Sequence, residues 1–173
     1  MVGLRYRGKE DVADSVGLLI SILIRYPEVA TINYDPGQRL LKFNFIASSM
    51  MEPAEIDDLR QKLLESIEVF NRLEGKISRL GQVDYHYCDH FTMIEIQRDV
   101  ETLVHEEIAL IVELLRQSLE GRLVTDEGQQ LFEEDLLIHE EIIGNMLESV
   151  KGYAGDKKLF AFREEGRVLV FNK

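Results

Sequence analysis

The chain has 173 residues, 45% hydrophobic and 30% charged, an ordinary globular balance that fits one domain or a domain with an appendage. Its single cysteine excludes an internal disulfide and points to a reducing compartment. A net charge of −12 repels the phosphate backbone on which sequence-independent nucleic-acid affinity depends, so no nucleic-acid partner is expected.

Residues 2–7, VGLRYR, alternate like a short strand that Gly8 breaks. A helix follows over 10–26, stopped by Pro27, because the residue before a proline avoids the helical region. Its apolar core, VGLLISILI at 16–24, is too short to span a bilayer and follows Glu10, Asp11 and Asp14, where a signal peptide wants positive charge. It reads as a buried helix of a cytoplasmic protein with no membrane partner. Apolar residues surround its axis, so it needs partners on two sides.

Residues 29–34 and 40–47 read as strands, and Asp35-Pro36-Gly37-Gln38 between them carries the residues of a tight turn. Pro53 then opens a long helix with Glu52, Glu55, Asp57 and Asp58 at its positive end. Ile56, Leu59, Leu63, Ile67 and Phe70 recur at three and four, the stripe of a helix lying on a sheet, which should end near Gly75.

Residues 83–97, VDYHYCDHFTMIEIQ, read as one continuous strand. That reading sends Val83, Tyr85, Tyr87, Phe91 and Met93 to one face and His86, Cys88, His90, Thr92, Ile94 and Ile96 to the other. The order to this point, strand, helix, strand, strand, helix, strand over 1–98, resembles the ferredoxin-like split β-α-β arrangement. Residues 16–45 are also similar to the core pattern of small metal-chaperone and regulatory members of that superfold. The chaperones' paired cysteines are absent from 8–14.

Asp99 can cap a helix running to about Glu120, with Gly121 past its end, and Thr125 can cap another over 126–151. The short connection predicts an antiparallel helical hairpin, in which VHEEI at 104–108 recurs as IHEEI at 138–142. LFAFR and VLVFN around Glu164-Glu165-Gly166-Arg167 read as a terminal β-hairpin, apolar on both faces and therefore buried on both. Residues 99–173 thus form a second unit packed on the first or on another subunit, and the whole chain belongs to the α+β class.

For chemistry, His86, Cys88 and His90 offer a zinc-like ligand set. Alternate strand residues stand about 6.7 Å apart, so a flat strand supplies two of the three, and a full site needs a bulge or ligands from elsewhere, for which His105 and His139 are the obvious donors. On the helical hairpin, mirror symmetry sets His105 against Glu141 and His139 against Glu107. The sequence carries no phosphate-cradling glycine loop, no Gly-x-Ser-x-Gly elbow and no His-Glu-x-x-His. The expectation is a non-enzymatic binding or regulatory module that forms a homodimer, with no cofactor. The alternative is a zinc or other metal-binding protein, or a metal-dependent enzyme, using His86, Cys88 and His90 with His105 or His139.

Overall fold

The structure, a computed structural model, describes residues 10–126, 132–151 and 157–172. Within them the chain runs α1 (Glu10–Arg25), β1 (Thr31–Asp35), β2 (Leu40–Ala47), α2 (Pro53–Leu73), β3 (Gly81–Cys88), β4 (Phe91–Asp99), α3 (His105–Ser118), α4 (Glu133–Lys151), β5 (Leu159–Glu164) and β6 (Arg167–Asn172). The six strands form one antiparallel sheet ordered β3-β4-β2-β1-β5-β6. The α+β class is therefore as read from sequence.

Three hairpins stand side by side in this sheet, and left-handed residues mark their corners. Glu165 and Gly166 both sit at positive φ, 51° and 77°, the pair of left-handed residues a type I′ turn demands. Asp89, at φ 56°, turns the chain between β3 and β4. The expected continuous strand over 83–97 is thus broken into a hairpin. A two-residue turn pairs residues of opposite parity, Val83 with Ile96 and His86 with Met93, so the faces read through Asp89 and His90 are inverted beyond the corner.

A ferredoxin-like order would set the expected strand over 2–7 beside β2. That place is taken by β4, paired from Leu40 opposite Asp99 to Ala47 opposite Thr92, and residues 2–7 lie outside those described. What the sheet does contain is a split β-α-β one strand later: β2 and β3 run parallel, joined by α2, with β4 between them. The terminal hairpin extends the same sheet, β5 pairing with β1 from Thr31 opposite Phe162 to Tyr34 opposite Leu159.

One row of strand side chains is buried across the sheet: Val83, Ile96, Phe43, Ile32, Ala161 and Val170 in register, with Phe45, Ile94, Leu41 and Leu159 beside them. The helices pack on this row in a single apolar cluster. α1 has the two layers of partners its all-round apolar sequence requires, strands β5 and β6 beneath and α4 above. α4 lies chiefly along α1, with less contact to α3, so the expected α3–α4 hairpin is not the main helical pairing. At Gly17 a Cβ would come within 2.8 Å of the Met146 side chain, which shows how closely the two helices approach. Asp99 does not cap α3, which begins at His105 behind Val104 with no side-chain cap. Among the described residues no helix is long and apolar enough to cross a membrane.

Candidate interaction surface

The opposite, outer face of the sheet has a polar middle and two apolar ends. Through the centre, Thr31, Asn44, Glu95 and Asp84 stand in register, and beside them Asn33, Lys42, Gln97 and Gln82. These side chains satisfy one another: Asn44 donates to the Thr31 hydroxyl at 2.8 Å, and Gln97 donates to Glu95 at 3.0 Å. A shallow cleft of about 270 Å³ opens here between Lys42, Lys158, Asp35 and Glu95.

At the β5–β6 end the register brings Phe160 opposite Phe171 and Phe162 opposite Leu169. The ring centroids of Phe162 lie 5.4 Å from Phe160 and 5.6 Å from Phe171, a continuous aromatic cluster. Phe171 is 50% exposed. The ribbon turns Leu159, Ala161 and Val170 to the helices, and among the described residues its other side leaves Phe171 half-exposed, so burial on both faces is not met within the described chain. At the β3–β4 end Ile46, Met93, His86, Cys88 and Phe91 share the same outer face, with Phe91 43% exposed.

The inner face holds the molecule's strongest electrostatic feature. Arg98 is fully buried, and its guanidinium binds both oxygens of the equally buried Glu107, the carboxylate of Asp99, the Thr102 hydroxyl at 3.0 Å and the Leu80 carbonyl at 2.9 Å. Asn71 donates to Glu107 at 2.9 Å and so ties α2 to α3. Asp99 also accepts from the backbone N–H groups of Arg79, Leu80 and Thr102. Burial opposes its charge, yet these donors, the Thr102 hydroxyl and Arg98 together hold its carboxyl below the usual range. Burial likewise opposes the charge on Arg98, and the carboxylates of Glu107 and Asp99 outweigh it, raising its pKa. The knot locks the end of β4 to α2 and α3, and every ionic partner in it is internal, which marks it as architecture.

The residues singled out for metal chemistry are dispersed by the fold. His86 and Cys88 lie exposed on the outer face of edge strand β3, and His90 sits at the tip of the turn beyond them. His105, at the start of α3, is half-buried against Tyr26, whose hydroxyl lies 2.6 Å from Nε2. Burial lowers the His105 pKa and raises that of Tyr26, so both groups favour their neutral forms, and the imidazole tautomer sets which of them donates. Beside them Arg25 covers the Tyr26 ring at 4.6 Å and pairs with Glu140 of α4 at 2.6 Å. The glutamate nearest His105 across the helices is thus Glu140, while Glu107 turns away into the Arg98 knot. His139 lies on α4 with Nδ1 buried and without a partner. Among the described residues no three His, Cys, Asp or Glu side chains form a metal-holding group.

The sequence reading missed Arg98 and the outer aromatic cluster. A basic residue at the end of a long apolar strand followed by Asp was the available signal for the first. The second required the turn register. Comparison with known proteins returned no match among family models, curated proteins or solved structures.

Proposed function

We propose that this chain is a non-enzymatic, self-associating binding or regulatory module whose outer sheet face receives a second copy. The observation that carries the reading is Phe171, half-exposed and stacked on Phe162 and through it on Phe160, on a sheet whose other face is filled by helices. Charge favours a copy of the same chain as the occupant. The molecule carries −12, but the central rows of this face set Lys42 beside Glu95 and Asp84, a nearly balanced and self-complementary arrangement.

The test is sedimentation of the parent and of Phe171→Asp at micromolar concentration. The parent sediments as a dimer and the variant as a monomer with an unchanged melting temperature; a monomeric parent overturns the reading. The alternative, a zinc-binding protein or metal-dependent enzyme, has His86 and Cys88 on one exposed strand face in its support. Metal retained in protein purified without added zinc, together with stability lost on chelation, would carry that alternative.

A further inference from the structure

We infer a second contact between copies: the outward face of α4 of one copy seats Leu137 and Ile138 in the pocket beside the end of α2 of the next. The pocket, of about 340 Å³, has apolar walls from Leu64, Ile67 and Ile77 and a charged rim of Glu68, Arg72 and Lys76. Its size suits two aliphatic side chains, and Ile77 is 83% exposed. Arg72 is engaged with Glu68 at 2.8 Å, whereas among the described residues Lys76 pairs with no carboxylate. This is a basic spot on an acidic molecule.

The donor surface is built to match it. Glu134, Leu137, Ile138 and Glu141 fall at i, i+3, i+4 and i+7 on α4 and share one helix face, away from the buried Ile143, Leu147 and Val150. Leu137 is 62% and Ile138 53% exposed, and both glutamates are exposed. That is the spacing of a helix laid in a groove by two apolar anchors, with acids about 10 Å apart flanking them. Either acid can reach the Lys76 rim. α2 and α4 do not touch within the chain, so the match is made between copies. Joining two different surfaces, the contact is heterologous and propagates head to tail unless its rotation closes a ring.

Sedimentation velocity in a Phe171→Asp background tests this independently of the outer sheet face, whose pairing that substitution removes. In that background the protein self-associates weakly at high micromolar concentration. Leu137→Asp and Lys76→Glu each weaken association by about tenfold or more, with unchanged melting temperatures because both side chains are at the surface. Mixing the Lys76→Glu protein with a Glu134→Lys/Glu141→Lys protein, each inert alone, restores association, because the acidic α4 of the first fits the native pocket of the second. Absence of association in the Phe171→Asp background, indifference to either substitution, or failure of the mixture to recover would each overturn the inference.

Discussion

The two faces of the sheet are made from the same strands in alternation, and they differ in what they demand of the rest of the molecule. On the inner face the row from Val83 to Val170 is sealed by α1, α2 and α3, and its one charged residue, Arg98, is enclosed with Glu107 and Asp99. On the outer face polar side chains pair across the middle while Phe171 and Phe91 stand half-exposed at the two ends. Inward charge is matched within the chain, whereas these two outer rings stay half-exposed among the described residues. The inner face accounts for stability and the outer face for the proposed association, and substitutions can separate the two.

The largest effect should come from the knot. Glu107→Leu leaves Arg98 buried with only Asp99 to balance it, and removing one partner of a buried pair costs about 3 to 5 kcal/mol, enough to threaten folding of a protein this size. Urea denaturation measures it. A loss below about 1 kcal/mol would mean that water reaches Arg98 and that the inner face is not sealed.

A phenylalanine on each face gives the sharpest contrast. Phe43 is 2% exposed, so Phe43→Ala should cost about 3 to 5 kcal/mol. Phe171→Ala, at a half-exposed position, should cost about 1 kcal/mol or less in the monomer while weakening the dimer. Equal losses of stability at the two positions would show that the outer face is covered after all.

Next in size is a pH effect at the inner face's margin. His105 is held neutral by burial, with Glu140 and Glu106 favouring its charge and Arg25 opposing it. Its folded pKa lies below the unfolded value of about 6.5, so the folded state binds fewer protons than the unfolded one. The stability this contributes is complete above about pH 6.5 and declines as pH falls toward the depressed folded value. Asp99, also depressed, loses its contribution only at lower pH, below the carboxylate range of about 3.9. Melting temperatures between pH 7.5 and 5 should therefore fall in the parent and fall less in His105→Gln; parallel curves would remove His105 as the cause.

How much of this was legible in the sequence follows from the range of the forces involved. Pro27, Pro53, Gly75 and Gly121 act on their own backbone, and the helix ends near them were readable. β2 was readable to the residue because Leu41, Phe43 and Phe45 alternate against polar neighbours. The hairpin at Asp89 was hidden because neither Asp89 nor His90 is glycine, so a positive φ held by tertiary pairing left no local mark. From that one missed corner came the wrong faces for Phe91 and Met93 and the supposed His86–Cys88–His90 row. The VHEEI and IHEEI echo misled for a related reason: Glu107 is drawn inward by Arg98, nine residues earlier in the chain, whereas its counterpart Glu141 is exposed. Partner choice across the fold, not composition, separates them.

The smallest predicted effect tests the corner that decides which phenylalanines face outward. Glu165 at φ 51° pays the left-handed penalty that β-carbons incur, while Gly166 at φ 77° does not. Asparagine tolerates this region, and Asn-Gly is the favoured pair of a type I′ turn, so Glu165→Asn should stabilise the protein by roughly 0.5 to 1 kcal/mol. Glu165→Gln serves as the control for removing one negative charge from an acidic chain. Gly166→Ala should act in the opposite direction by about 1 kcal/mol, and since nothing lies within 4 Å of the added Cβ, its cost would be purely conformational. The quantity to measure is the urea midpoint at constant m, with sedimentation alongside. A gain for asparagine with unchanged association is expected, because the turn sets the register in which Phe160 meets Phe171 without touching the outer face itself. If glutamine stabilises as much as asparagine, charge and not backbone strain governs the corner; if association shifts with the turn, the pairing of β5 with β6 is softer than the register describes.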